Sequence, residues 1–520
     1  MTGTAADRVS PLSPRPGRWG RPARLALALL AALTLASTFW LAGTDDVRVW
    51  PARNLAASRL ERWWRQHRLP ALPAATGKQL AGGTGTLRGH VRDPSGRPIE
   101  GARLLLAEPD GTTHEATSDA GGSYLIADIP AGFYVPVAGA AGYADTTFGR
   151  RRLPGWLGWL DWLAPPGVAI HAGAETIQEV ILAPASAPAV AAASRVQVGE
   201  AETLTCEHPM AARARRRQIE LWSGPRPDPP ALLYTPATSG EPADSRPLLL
   251  TVYPGPAGEW ECASVPLAAA GYAVVATGPA YSFDLEPGVD ELMRLLQLAR
   301  AGQLPGVDGT RVAVLGGSYS SLHVLRLLER GGLVPAGSGS SPIRAALLLG
   351  PVADLFDMRR RLEDGTFIPP FGLDQALLAL GPPDRQPLRY WRYSGVYHVR
   401  ADLPPVALIH SRSDDVVPFQ QSERLAAALA AAGVPHELHL LEGGGHYLLA
   451  EDAEARLIYD LSLAFLKMHL GSSAAGRRPD LPVSTQDATH DRCSGSLAGR
   501  ATDSSGGELR HDAVRVQSQT

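Results

Sequence analysis

The stretch RVAVLGGSYSSLHVLRLLERGG, residues 311–332, decides the fold. Its first part is a run of β-forming apolar residues that ends in two glycines, and its second part has the pattern of a helix. Ser318 lies at the junction, in the centre of GGSYS. A serine on such a strained strand-to-helix turn is exposed above a sheet, and the turn demands small neighbours. Gly316 meets that demand, whereas Ser320 stands where the pattern GxSxG has its second glycine.

Residues 196–470 alternate apolar strand-like runs with helical stretches. The runs are RPLLLTVY (246–253), YAVVATG (272–278), RVAVLGG (311–317), AALLLGP (345–351), PVALIHS (405–411) and HELHLLEG (436–443). Buried strands separated by helices predict an α/β fold with a doubly wound, mostly parallel sheet that is covered by helices on both faces. Catalytic groups in such folds lie at the carboxyl ends of the strands.

Two further candidate residues follow later strands. Asp414, with Asp415 beside it, comes just after PVALIHS, and His446 lies on a glycine-rich turn after HELHLLEG. An acid is needed to orient a histidine, and a histidine base must reach the serine. The chain order Ser, Asp, His is that of α/β-hydrolases. The remaining nearby histidines are interpreted as structural: His410, His436 and His439.

This region resembles the prolyl oligopeptidase/dipeptidyl peptidase family of serine hydrolases. The resemblance rests on RPLLLTVYPGP (246–256), GGSYS (316–320), HSRSDDVVPFQQSERL (410–425) with Ser411 in place of a glycine, and the 32-residue separation of Asp414 and His446. It implies that Asp414, and not Asp415, is the acid of a triad with Ser318 and His446. It also implies an oxyanion hole formed by the Tyr253 hydroxyl and the backbone N–H of Tyr319.

The resemblance implies an enzyme that forms an acyl-enzyme and requires no metal or organic cofactor. We predict a serine-type peptidase with a peptide or ester substrate. A carboxylesterase would carry the same triad, and a surface-binding protein with a degenerate hydrolase domain is the third alternative, because of the departures at Ser320 and Ser411. The roughly 150 residues before the hydrolase domain are too few for the β-propeller of peptide-restricted family members, at about 40 or more residues per blade.

Residues 84–184 contain short runs of β-formers between turn signals, which predicts an antiparallel β-sandwich. The strand candidates are LRGHV (87–91), ARLLLA (102–107), SYLIA (123–127) and FYVPVAG (133–139). GHVRDPSGRPIEGARLLL and TSDAGGSYLIADIPAGFYVPVAGAAGY resemble the carboxypeptidase regulatory-like, transthyretin-like domain. That domain is accessory and brings no catalytic residues. The following segment, 150–166, departs from its pattern with three tryptophans.

Residues 25–43, LALALLAALTLASTFWLAG, contain no charged residue. At ~1.5 Å per residue such a helix is long enough to cross a bilayer. Five arginines precede the segment and two aspartates follow it, which favours an inside N-terminus. We predict an uncleaved, single-pass signal anchor in the cell membrane, with a cleaved signal peptide and a secreted protein as the alternative. Both place the catalytic domain outside the cytoplasm.

The composition excludes other classes of function. The chain has 520 residues and a net charge of −3, so a basic nucleic-acid-binding protein is excluded. Its three cysteines have no zinc-site spacing, and an oxidising compartment leaves a Cys206–Cys262 disulfide open. The predicted segments are a basic N-terminus (1–24), the anchor (25–43), a stalk (44–83), the sandwich (84–184), a linker (185–195), the catalytic domain (196–470) and a disordered tail (471–520).

Overall fold

The structure, a computed structural model, describes residues 82–149, 167–185, 195–222 without 208–209, 228, 230–237, 245–331 without 280 and 283, 343–446 without 371–372, and 452–471. The predicted basic N-terminus and signal anchor, most of the stalk and linker, the tryptophan-rich segment 150–166 and nearly all of the tail lie outside these residues. Within the described ranges, no helix is both long enough and apolar enough to cross a membrane.

The N-terminal region is a β-sandwich. Its strands are β1 (Thr84–Arg92), β2 (Arg103–Ala107), β3 (Thr113–Thr117), β4 (Ser123–Pro130), β5 (Gly132–Tyr134), β6 (Val137–Gly139), β7 (Thr146–Thr147), β8 (Val168–Ile170), β9 (Glu175–Ile177) and β10 (Val180–Ile181). One sheet has the order β10-β1-β4 with β9 also paired to β1, another has the order β3-β2-β6-β7, and β5 pairs with β8. Along β1 the side chains alternate, with Leu87 and Val91 fully buried, as expected for a strand with one face on a core.

The predicted strand 133–139 is in fact two strands, β5 and β6. The break falls at Val135 and Pro136. Proline has no N–H to donate to a ladder, so it interrupts pairing on the side where that donor is needed. The two halves consequently pair with different partners, β8 and β2.

The second region is built on one sheet of ten strands. Its members are β11 (Arg195–Val198), β12 (Glu202–Cys206), β13 (Ala212–Trp222), β14 (Ala231–Pro236), β15 (Arg246–Val252), β16 (Ala273–Thr277), β17 (Val307–Gly317), β18 (Ile343–Leu349), β19 (Val406–Ser411) and β20 (His436–Leu441). The order is β11-β13-β14-β16-β15-β17-β18-β19-β20, with β12 on β13. Pairing is parallel from β16 to β20 and antiparallel before β16. The predicted mostly parallel sheet is confirmed.

Helices cover both faces of this sheet. They are α1 (Glu261–Ala269), α2 (Glu286–Arg300), α3 (Ser321–Gly331), α4 (Leu355–Asp364), α5 (Leu373–Ala379), α6 (Pro387–Arg392), α7 (Gln420–Ala431) and α8 (Asp452–Leu470). Strand β15 is buried along its whole length, and its alternate side chains belong to two separate apolar clusters, one on each face. This is why these strands read as continuous apolar runs in the sequence.

The sandwich packs directly on the second region through the segment that follows β18. Leu105 and Val137 of the sandwich belong to the same buried cluster as Phe356 of α4. The side chain of Arg103 donates a hydrogen bond to the carbonyl of Val396 at 2.8 Å. Gly111 leaves no room for a side chain, because a Cβ there would lie 2.5 Å from the carbonyl oxygen of Phe356. A few sandwich residues therefore pack into the apolar cluster on one face of the large sheet, while most of the sandwich has a core of its own.

A disulfide joins Cys206, at the end of β12, to Cys262 in α1, with 5.5 Å between the Cα atoms. The link ties the antiparallel edge of the ten-stranded sheet to α1. The pairing that the sequence left open is thus present.

Candidate active site

Ser318 occupies the sharp turn predicted between β17 and α3. Its φ is 51°, in the left-handed region, and the following residues Ser318–Ser320 form a short 3-10 turn. A Cβ on Gly316 would lie 2.6 Å from a methyl group of Val324, so only glycine fits there. The turn consequently lifts the serine above the carboxyl end of the parallel sheet.

Ser320, the departure from the expected glycine, is accommodated. Its side chain is buried, and its hydroxyl lies 2.7 Å from the carbonyl oxygens of both Val252 and Gly317. The hydroxyl therefore has an acceptor in the core and ties the turn to strand β15. Ser411, the second departure from the expected pattern, is also accommodated, because its buried hydroxyl lies 2.9 Å from the hydroxyl of Ser413.

The structure brings Ser318, His446 and Asp414 together. His446 Nε2 lies 2.9 Å from Ser318 Oγ, and His446 Nδ1 lies 2.9 Å from Asp414 Oδ2. The imidazole follows a turn in which Gly444 and Gly445 both have positive φ. Because a carboxylate only accepts, Nδ1 carries a proton toward Asp414, and the neutral Nε2 is left to accept from the serine hydroxyl.

Asp414 is held as an anion inside the protein. Burial opposes its ionisation most strongly, but hydrogen bonds from His410 and His446 outweigh burial and lower the pKa of Asp414 well below its usual range. The backbone N–H groups of Val416 and Val417 donate to Oδ1 at 2.9 and 2.8 Å. Asp415, the rival acid in the sequence, is exposed, so the geometry favours Asp414.

His410, which the sequence alone indicates only as a structural residue, contacts the site. Its Nε2 lies 3.0 Å from the carbonyl of Val417 and 3.2 Å from Asp414 Oδ2, and its Nδ1 lies 2.7 Å from the Ser422 hydroxyl. A carbonyl accepts only, so Nε2 carries the proton and donates toward the carboxylate. His410 is thus a positioning residue for Asp414. The signal available in the sequence was the position of His410 near the carboxyl end of β19, four residues before Asp414.

The Tyr253 hydroxyl contacts a core residue in this structure, so its expected place in the oxyanion hole stays a prediction. The hydroxyl lies 2.9 Å from Ser264 Oγ inside the core, and the ring stacks on Trp260 at 5.4 Å. The side chain is only 5% exposed, and Tyr253 is absent from the residues that line the cleft. Tyr319, in contrast, directly follows the serine at the start of a helix, where backbone N–H groups lack intrahelical partners.

A cleft of about 340 Å³ opens on Ser318. Helices α4 and α5, between strands β18 and β19, form part of its wall. The described lining is almost wholly apolar or aromatic, and it consists of Tyr281, Ser282, Leu285, Ser318, Tyr319, Leu322, Val352, Leu355, Met358, Pro369, Ala376, Leu377, Leu380, Tyr393, Val416 and Val417. Among these described residues there is no carboxylate and no cationic side chain.

Three consecutive arginines lie on α4, where a run of positive charge could bind an acidic group or form a solvated face. In the structure each is paired with an acid of its own helix. Arg359 is buried and binds Glu363 at 2.7 Å, while Arg360 and Arg361 both bind Asp357 at 2.8 Å. These residues stabilise the helix that packs under the sandwich.

A serine at a strained turn above a mostly parallel α/β sheet, with an imidazole in hydrogen-bond reach, defines a serine hydrolase of the α/β-hydrolase fold. Residues 288–473 match the prolyl oligopeptidase family, and residues 86–183 match the carboxypeptidase regulatory-like domain. Both predicted resemblances are confirmed, and the chain is a serine hydrolase with a region similar to the prolyl oligopeptidase family.

Comparison with curated proteins gives no match to the sequence. Among solved structures, esterase 2 of Thermogutta terrifontis phosphonylated by sarin is 20% identical, with 47% of this chain and 91% of that chain covered and a TM-score of 0.38. Its butyrate-bound form is 23% identical, with 48% and 91% covered and a TM-score of 0.36. A truncated carbohydrate esterase from gut microbiota is 17% identical, with 46% and 90% covered and a TM-score of 0.37. Similarity at this level leaves the substrate open.

Proposed function

We propose that this protein hydrolyses esters with an apolar acyl group through an acyl-enzyme on Ser318. His446 Nε2 accepts the hydroxyl proton while Ser318 Oγ bonds to the carbonyl carbon. The imidazolium then gives that proton to the departing alkoxide, and the alcohol leaves. Water attacks the acyl-enzyme by the same route and releases the acid. Asp414 holds His446 in the required tautomer throughout.

The backbone N–H of Tyr319 is the proposed donor to the oxyanion. It belongs to the residue after the nucleophile, at the beginning of the helix that the turn leads into. The dipole of α3, with its amino end directed at the same place, adds a partial positive charge where the negative charge develops.

The apolar cleft beside Ser318 is the observation that carries the choice of an ester. At about 340 Å³ the cleft is small, and the two polar members of its described lining other than tyrosines are Ser282 and Ser318. Small-molecule sites of roughly 300–1,000 Å³ usually owe specificity to a few polar groups, and here one of those groups is the nucleophile Ser318. An alkyl or aryl acyl group would gain apolar burial without losing a charged contact.

A serine-type peptidase, our first expectation from the sequence, remains the second candidate. The match of residues 288–473 to the prolyl oligopeptidase family favours it. The same apolar cleft would accept an uncharged, apolar side chain next to the scissile amide. The catalytically degenerate alternative loses its support, because both serine departures are accommodated without displacing the site.

The test is a substrate comparison with the purified full chain. We expect labelling by a fluorophosphonate probe and turnover of p-nitrophenyl esters, with a preference for short to medium acyl chains over acetate. Ser318→Ala should lose both activities while it retains the melting temperature of the unaltered protein within a few degrees. Cleavage of aminoacyl p-nitroanilides with no ester turnover would replace the ester proposal by the peptidase candidate. An unlabelled, folded protein would overturn both.

The acyl preference has its own test at the cleft wall. Leu377→Trp fills space beside Ser318 without touching the reacting groups, so it should shift the preferred acyl chain to a shorter one. The rate of fluorophosphonate labelling with a small probe should change little. An unchanged chain-length profile in a folded Leu377→Trp variant would show that the acyl group binds elsewhere.

We further propose that residues 25–43 anchor the protein in the cell membrane with the catalytic domain on the extracytoplasmic side. The uncharged segment and the flanking charges support the anchor. The Cys206–Cys262 disulfide supports an oxidising compartment. Protease digestion of intact cells should remove the hydrolase domain, and alkaline carbonate should leave the chain in the membrane fraction. Release by carbonate, or protection from protease, would contradict the anchor or its orientation.

A further inference from the structure

A second cavity, of about 580 Å³, lies between the β-sandwich and the hydrolase domain. None of its described lining residues lines the cleft at Ser318. Its wall brings together Asp145, just before β7 of the sandwich, Glu329 in α3 and His398, which follows the 3-10 turn Gly395–Tyr397. These residues come from three distant parts of the chain, so no sequence spacing could have indicated them.

The three side chains have the arrangement of metal ligands. One ligand atom of each lies within 4.8 Å of the others. His398 Nδ1 is 3.5 Å from Glu329 Oε1, which is long for a hydrogen bond. Ligand atoms around a tetrahedral zinc with bonds of about 2.1 Å are separated by roughly 3.4 Å. The distance therefore fits two ligands of one ion better than a direct contact.

The tautomer of His398 is fixed by a residue outside the cluster. Its Nε2 lies 2.9 Å from the carbonyl oxygen of Trp391, whose side chain is 1% exposed and held in the core. Because the carbonyl only accepts, Nε2 carries the proton. A neutral imidazole then turns the lone pair of Nδ1 toward Glu329. Histidines that bind metals are oriented by such a bond from the other ring nitrogen to a backbone carbonyl.

Two carboxylates lie close together in this cluster, and each has an oxygen that could bind a cation. Asp145 forms no hydrogen bond or ion pair with any residue in the described part of the chain, although it lies beside Glu329. Arg326 binds the other oxygen of Glu329, Oε2, at 2.6 Å and leaves Oε1 facing His398. Gly139 makes room for the acid, because a Cβ there would lie 2.2 Å from Asp145 Oδ1.

We propose that Asp145, Glu329 and His398 bind a divalent transition-metal ion, best matched by Zn²⁺, that clamps the β-sandwich to the hydrolase domain. One imidazole and two carboxylates suit a borderline ion, and the open side toward the cavity leaves a coordination position for water. The site is structural and lies apart from Ser318, so this inference stands or falls independently of the proposed function.

The experiment uses the full chain, freed of metal by a chelator and dialysed. Titration with Zn²⁺ should raise the melting temperature, with saturation at one equivalent, and elemental analysis should find one zinc per chain. Asp145→Asn and His398→Gln should each weaken Zn²⁺ binding at least tenfold. Asp145 is half-exposed on a turn, so Asp145→Asn keeps the proposal testable if His398→Gln folds poorly.

His114→Gln is the matched control, because His114 and Glu108 form a partly buried pair at 2.8 Å elsewhere in the sandwich. That variant should bind Zn²⁺ as the unaltered protein does. A different outcome would overturn the proposal. The melting temperature would rise as the pH falls and would not respond to Zn²⁺ or chelator. His398→Gln would then remove this pH dependence. Such a result would assign the cluster to a protonated imidazole between two carboxylates. Equal zinc binding by all three variants would also refute it.

Discussion

Ser318 has a backbone conformation that costs free energy, and glycine at this position should stabilise the protein while abolishing its activity. Ser318 and Asp128 are the two non-glycine residues with positive φ in the described part of the chain, at 51° and 55°. The left-handed region costs an L-residue roughly 1–2 kcal/mol, while glycine loses about 0.5–1 kcal/mol of extra chain entropy on folding. The balance favours Ser318→Gly by roughly 0.5–1 kcal/mol over Ser318→Ala.

The assay is urea unfolding of the two variants side by side. Both lack the hydroxyl that contacts His446 Nε2, so their difference isolates the backbone contribution. Asp128→Gly against Asp128→Ala should show the same sign at an exposed position of strand β4 in the sandwich. Ala427→Gly, at an exposed helical position in α7, should instead lose about 1 kcal/mol. If Ser318→Gly unfolds at the same or a lower urea concentration than Ser318→Ala, the elbow is not strained and the reasoning fails.

Four further outcomes are expected. Asp414→Asn should lower kcat/KM by about 10⁴-fold through the wrong imidazole tautomer; a loss below tenfold in esterase assays would contradict the triad. Tyr253→Phe should leave kcat within about threefold, whereas removal of an oxyanion donor would cost roughly 10²–10³-fold. Burial raises the pKa of Glu291 from 4.5 to about 7, and the negative charge of Asp228 adds to this shift. The folded state thus binds that proton more tightly, so stability falls as the pH rises from 4.5 to 7, by roughly 3 kcal/mol; Glu291→Gln should flatten urea midpoints measured across this window. Replacing Cys206 and Cys262 by alanine opens a loop with a sequence separation of 56 and should cost about 4 kcal/mol in urea unfolding; an unchanged midpoint would show that the link adds nothing.

The parallel sheet and the elbow could be predicted from the sequence because each is encoded locally. Strands buried on both faces must be apolar at every position, and β15 and β19 are buried at every residue. Glycine is required at residue 316 because Val324 approaches it closely, and a glycine before the serine is part of the local sequence pattern of this turn. The positions of Asp414 and His446 follow from the topology, because strands β19 and β20 end at the same edge as β17.

Contacts between distant segments could not be predicted in the same way. The acid partners of the α4 arginines lie on the same helix, but the burial of Arg359 depends on how that helix packs within the fold. The contact of His410 with Asp414 depends on a turn that brings residue 414 back over the end of β19. The cluster of Asp145, Glu329 and His398 depends on how two domains dock. Periodicity reports which face of an element is buried, not which partner that face meets.

Tyr253 shows the same limit at the site itself. Side chains along a strand alternate between faces, and Leu249 and Tyr253 belong to the cluster on one face of the sheet, whereas Leu250 belongs to the cluster on the other. The register of β15 therefore directs the tyrosine toward α1, where its hydroxyl forms a hydrogen bond with Ser264. Burial also raises the pKa of Tyr253, so the hydroxyl stays protonated and available as a donor if the ring turns. An oxyanion role would require that turn to break both the bond to Ser264 and the stacking on Trp260. Preorganised donors catalyse well because they need no such rearrangement, so the fixed backbone N–H of Tyr319 is the better candidate in this chain.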